Sequence, residues 1–109
     1  MSSGEVTIEL AGEKVVLRPT FKCFRILLAQ YGNLTTALQK TSIMDHVAYR
    51  DVIVAGSGKQ LDDVDEMDEA IFEAGIGNLV HPLTMFLATL ANGGKPLDAD
   101  DEEDQTEKK

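Results

Sequence analysis

The five residues Leu17-Arg18-Pro19-Thr20-Phe21 divide this chain into two kinds of sequence. Before them the apolar residues alternate; after them they recur at helical spacing. Pro19 has no backbone N–H and disfavours helix at the preceding residue, so a strand must end there. Thr20 is suited to accept a hydrogen bond from the free N–H groups of a following first turn. Phe21, Phe24, Leu28 and Tyr31 then follow at +3, +4 and +3, one face of a helix.

Upstream, Val6, Ile8 and Leu10 share one face of Glu5-Val6-Thr7-Ile8-Glu9-Leu10. Ala11-Gly12-Glu13 supplies a turn, and Lys14-Val15-Val16-Leu17-Arg18 returns. Period and turn chemistry predict a β-hairpin. A lone hairpin is marginal in water, so its apolar face must lie on the helices.

Five helical segments are expected downstream. The first runs from about Thr20 to Tyr31 and ends at Gly32, which suits a left-handed cap. The second covers about Leu34 to Lys40. Ser42-Ile43-Met44-Asp45 has capping-box spacing and predicts the start of a third, ending near Gly56. On its helical wheel Ile43, Met44, Val47, Ala48, Val54 and Ala55 fill one arc. Asp51 falls within that arc and Ile53 opposite it, which predicts that the helix ends early or that Asp51 pairs with a nearby Arg. The fourth starts near Asp63, where Asp63, Asp65 and Glu66 match the helix dipole, with Val64, Met67, Ile71 and Gly75 facing inward. Pro82 limits it. Leu83, Phe86, Leu87 and Leu90 mark a fifth helix, or a kinked continuation of the fourth, ending before Asn92. The expected fold is therefore α+β and mainly α: an N-terminal hairpin, then a bundle of four to five helices over residues 1–94.

Residues 95–109 hold seven acids, three lysines and no aromatic residue. Such a segment buries too little apolar surface to offset its ordering entropy, so a disordered acidic tail is expected. The whole chain carries a net charge of −9. That balance argues against nucleic-acid binding, which needs a basic face to displace counterions from phosphates. Positive surface could come only from Lys14, Arg18, Lys22, Arg25, Lys40, Arg50 and Lys59, since 60–94 contains no Lys or Arg. The single cysteine, Cys23, fits a reducing compartment. The N-terminus lacks the pattern of a signal peptide. No apolar run approaches the ~20 residues that span a bilayer, so no membrane partner is expected.

Catalytic, metal and cofactor motifs fail one by one. His46 and His81 lie far apart, and the chain has three Cys or His residues in all, too few for a zinc site. The acidic run from Asp62 to Glu69 would be a calcium loop only with oxygen ligands and a glycine in register, but counting from Asp63 places Met67 and Asp68 at those positions. Gly56-Ser57-Gly58-Lys59-Gln60 approaches a phosphate loop but lacks the earlier glycine and the final Ser or Thr. No nucleophile has a base at motif spacing. The Asp-Ser-Leu of acyl carriers is absent. A non-enzyme without cofactor is expected.

Taken whole, the order of elements resembles the small tail-assembly proteins of long-tailed phages and gene transfer agents. The resemblance runs through Gly4-Glu5-Val6, the hairpin with Gly12, Leu17-Arg18-Pro19-Thr20-Phe21 and Tyr31-Gly32-Asn33-Leu34. It continues through Ala55-Gly56, Ile71-Phe72-Glu73-Ala74-Gly75-Ile76, Pro82 and Gly93-Gly94-Lys95-Pro96. It covers about residues 4 to 96. The first helix is more apolar, and the acidic tail longer, than the family pattern.

The resemblance implies a tail assembly chaperone in the host-cell cytoplasm that binds the tape-measure protein, alone or together with tail-tube subunits. It is compatible with a homo-oligomer. The rival implications are a structural tail component (a tube or terminator subunit) or a small acidic regulator that sequesters a basic partner. For a chaperone, Leu83, Phe86, Leu87 and Leu90 of the last helix are the expected partner-binding residues, against the alternative that they are core. Leu87→Asp separates the two, since loss of folding means core.

Overall fold

The structure, a computed structural model, describes residues 4–59 and 63–96. Residues 60–62, and all of the expected 95–109 tail after residue 96, lie outside the described residues. The hairpin forms as its alternation requires. Strands β1 (Val6–Leu10) and β2 (Glu13–Leu17) pair antiparallel with Ile8 opposite Val15 and Leu10 opposite Glu13. The loop is shorter than predicted: Glu13 belongs to the ladder, and Ala11 and Gly12 alone turn the chain, both at positive φ (53° and 79°). That is the primed turn whose twist matches the flanking strands. Ile8, Leu10, Val15 and Leu17 are buried on the inner face.

The junction ends β2 and starts helix α1 (Phe21–Tyr31). Thr20 is the N-cap, its Oγ1 accepting from Cys23 N at 3.1 Å. Gly32, at φ 82°, closes the helix by donating to Leu28 O. Asn33 caps α2 (Leu34–Ser42) through Thr36 N at 2.7 Å.

The predicted capping box at Ser42 is not formed. Ser42 still belongs to α2, and its hydroxyl donates to Gln39 O. Met44 turns the chain at φ 63°, and Asp45 caps α3 (His46–Ser57) by accepting from Ala48 N. Starting at His46 puts Ile43 and Met44 outside the helix, so the wheel drawn through them shows the wrong arc. Ala48, Tyr49, Val52, Ile53, Ala55 and Gly56 face the core, whereas Ile43 and Val47 are exposed. Asp51 is half-buried and accepts from Tyr31 Oη at 2.6 Å, a tyrosine partner where an arginine was expected.

Asp63 caps α4 (Val64–Ala74) through Asp65 N and Glu66 N. Ile71 is its buried residue; Val64, predicted inward, is exposed. The break before α5 (Ile76–Ala91) comes at Gly75 (φ 95°), where the two helices bend by 102°. Pro82 lies inside α5 and does not end it. Its ring removes a donor for Asn78 O, but the turns on either side bury Leu79, Leu83, Phe86, Leu87 and Leu90, which offsets the local loss.

Helix α5 is the central element, packed on α2, β1, α4 and α3. Helices α1 and α2 pack on each other and on α3, while α4 lies against α3, α5 and β1. The junction docks on α3 through Arg18 N to Gly56 O at 2.9 Å. At the far corner Gly94 passes so close to the junction that a Cβ there would stand 2.5 Å from Pro19 O. Only glycine permits that approach, and it sets one wall of the groove described next.

Candidate functional site

Leu83, Phe86, Leu87 and Leu90, the residues expected to meet a partner, are core. The first three are at most 1% exposed and Leu90 is 5% exposed. The cause is the position of α5, which packs on α2, β1, α4 and α3 and leaves only a strip with His81 and Met85 and its two ends open, so most of its apolar circumference is buried. Of the four, only Leu90 reaches the edge of a surface cleft.

That cleft is an apolar groove of about 530 Å³ between α1, the start of α2 and the end of α5. Phe21, Phe24 and Leu28 form one wall. Leu34, Leu90 and the Gly93–Gly94 corner form the other side. Phe21 is 73% exposed and Leu28 37%. The rings of Phe21 and Phe24 lie 6.2 Å apart and tilted by 31°, an offset aromatic pair open to solvent on its outer side. The Thr20 cap and Pro19 fix where α1 begins, and the Asn33 cap fixes α2, so both walls start from helix ends held by side-chain caps on backbone N–H groups.

The stripe Phe21-Phe24-Leu28 is visible in the sequence as one helix face. The structure leaves Phe21 and Leu28 exposed and Phe24 half-buried against the core. Helix α1 carries a second apolar face, Cys23 and Leu27 with Ile26, and that face is the buried one. Two apolar faces on one helix was the available signal that one of them serves something other than the core.

Charge around the groove differs from that of the whole chain. Between Glu13 and Asp45 there is no Asp or Glu, while Lys14, Arg18, Lys22, Arg25 and Lys40 all fall there. Lys22 and Arg25 are exposed on α1. Arg18 is paired with Glu5 at 3.2 Å. The groove therefore has an apolar floor and a positive rim on an acidic protein.

The remaining polar contacts join helices. Tyr31 ties α1 to α3 through Asp51, and its hydroxyl is raised well above the ordinary tyrosine range by burial and then by that carboxylate. Tyr49 donates to Ile76 O at 2.9 Å, joining α3 to the start of α5, and burial raises its pKa too. Asp68 of α4 accepts from Arg50 Nη1 with both oxygens, at 2.9 and 3.0 Å. His46 Nε2 lies 3.1 Å from the same carboxylate without hydrogen-bond alignment. Cys23 is 1% exposed, and burial pushes its thiol up to about 12, so it stays protonated and poorly nucleophilic at neutral pH.

Among the described residues no three His, Cys, Asp or Glu side chains converge as a metal site would need. Two further open clefts flank the hairpin. One lies between β1 and the α4–α5 bend, with Thr7, Glu9, Glu73 and Asn78 (about 710 Å³). The other lies between the hairpin and α4, with Glu13, Lys59 and Glu66 (about 560 Å³). Neither is lined by a Cys, Ser or His side chain. Among the described residues no single helix is long and apolar enough to cross a membrane. No protein-family model, no curated protein and no solved structure matches the chain.

Proposed function

We propose that this protein is a non-catalytic assembly chaperone of a phage-like tail that shields an apolar helical segment of the tape-measure protein before the tube closes around it. The observation that carries the reading is the groove walled by Phe21, Phe24, Leu28 and Leu34. Its shape suits helix-in-groove recognition, in which two or three side chains of an amphipathic helix enter an apolar cleft. A buried anchor of that kind contributes roughly 1.5–3 kcal/mol, so two are enough for a reversible client complex. The sequence resemblance over residues 4 to 96 supplies the biological setting, and the net charge of −9 would keep a client complex soluble. The residues assigned to client binding are now Phe21, Phe24, Leu28 and Leu34 in place of the last-helix leucines.

Two measurements test it. Genes for a major tail protein and a long helical tape-measure protein beside this gene are expected; a neighbourhood without tail genes would refute the setting. Co-expression with that tape-measure protein should then keep it soluble and co-purifying. Phe21→Ser combined with Leu28→Ser should abolish capture while leaving the circular dichroism spectrum unchanged, because both side chains are exposed. Undiminished capture by that variant would remove the groove from the function.

A further inference from the structure

The molecule has a second exposed aromatic residue whose surroundings are the electrostatic inverse of the groove. Phe72 on α4 is 71% exposed. Glu69 precedes it by one turn and Asp65 by two, so they share its face, and Glu73 is its neighbour in sequence; all three are exposed. The described residues 63–94 contain no Lys or Arg. Asp68, on the same face, is already engaged by Arg50. On the groove side Arg25 lies four residues after Phe21 and three before Leu28, inside the apolar stripe, with Lys22 beside it. One face thus offers an aromatic knob ringed by carboxylates, and the other an apolar groove ringed by cations.

Helix α4 packs on α3, α5 and β1, while α1 packs on α2 and α3, so the two patches lie on helices that are not packed against each other. We propose that the groove receives Phe72 and the acidic face of α4 from a second copy of this chain, in a head-to-tail contact. The Phe72 ring enters between Phe21, Phe24 and Leu34, and Glu69 and Glu73 meet Lys22 and Arg25. Because donor and acceptor are different patches, the contact is heterologous. Each added copy presents a fresh groove at one end and a fresh α4 at the other, giving a ring if the rotation closes and an open series if it does not. Self-association requires no client and is measured on the chain alone; it fills the same groove, so a second copy and a client exclude each other there.

Sedimentation velocity on the full chain over a wide concentration range tests this. The weight-average mass should rise above the 11.9 kDa of one chain as concentration rises, and fall back toward it in high salt as the ring of charges is screened. Phe21→Ser and Phe72→Ser each change an exposed side chain, and each alone should weaken association by roughly tenfold or more, the effect of losing one aromatic anchor. Mixed in equal amounts, the two variants retain one intact groove and one intact α4 face between them. They should form a dimer and stop there. A mass that stays at one chain throughout overturns the proposal, as does association that survives Phe72→Ser, or a mixture that forms no dimer.

Discussion

Replacing Gly56 by alanine should destabilise the protein, although the same exchange in an open helix does the reverse. Gly56 lies near the end of α3 with helical backbone, so alanine there would ordinarily gain about 0.5–1 kcal/mol. A Cβ at this position, however, would stand 2.9 Å from Phe86 Cζ, 3.2 Å from Phe86 Cε2 and 3.1 Å from Leu17 Cβ. Both neighbours are 0% exposed, so neither has free space to move into. Overpacking of this kind costs about 1–3 kcal/mol, which leaves a net loss of about 1–2 kcal/mol. For a domain this small the melting temperature should fall by about 5–10 °C.

Gly77, in the first turn of α5, is the control: a Cβ there meets nothing within 4 Å, and Gly77→Ala should gain about 0.5 kcal/mol. Urea unfolding followed by circular dichroism measures both, with unchanged slope if only the native state is affected. In a Phe86→Leu background the ring tip is gone, and Gly56→Ala should lose more than half its cost, a coupling of about 1 kcal/mol. If the two glycine variants shift stability in the same direction, or the Phe86 background changes nothing, the packing argument is wrong.

Three further outcomes are expected. Ala11 holds φ 53° in the two-residue turn, a strain of roughly 1–2 kcal/mol for a residue with a Cβ, and Ala11→Asn should recover about 0.5–1 kcal/mol in the same unfolding assay. Asp68→Asn keeps the shape but removes the charge facing Arg50, and should cost about 1.5 kcal/mol, less in high salt. The thiol of Cys23 and the hydroxyls of Tyr31 and Tyr49 have raised pKa values in the folded state, so the folded chain retains protons that the unfolded chain releases. The contribution of these three groups to stability should therefore be flat below pH 9. It should fall from about pH 9 to 12 as the unfolded cysteine ionises, at about 1.4 kcal/mol per pH unit for that group, with the tyrosines adding to the slope above pH 10. Cys23→Ala should remove the part of the slope that begins at pH 9.

Local chemistry alone determined the element order. The alternation of Val6, Ile8 and Leu10, the block at Pro19 and the caps at Thr20, Gly32 and Asp63 act within a few residues, so they can be read without knowing what lies opposite. Where two local signals competed, tertiary packing chose between them. Ser42 and Asp45 are both acceptable caps, and the two extra residues of α2 took Ser42. Pro82 and Gly75 are both plausible breaks. The chain bends at Gly75 because the apolar residues on either side of Pro82 are buried together in one helix at the centre of the bundle.

The binding surface was the least legible part. Periodicity reports that a helix has an apolar face but not what that face meets. Helix α1 has two such faces and α5 is apolar over most of its circumference, so the sequence alone could not say which leucines and phenylalanines would be covered. That depends on where α5 lies: once it occupies the centre, Leu83, Phe86 and Leu87 are used up in the core, and Phe21, Phe24 and Leu28 are left to line the groove. The sorting of charge was written in the sequence as an acid-free stretch and a cation-free one. Only the packing, which sets α1 against α2 and α3, and α4 against α3, α5 and β1, turned those stretches into two separate faces.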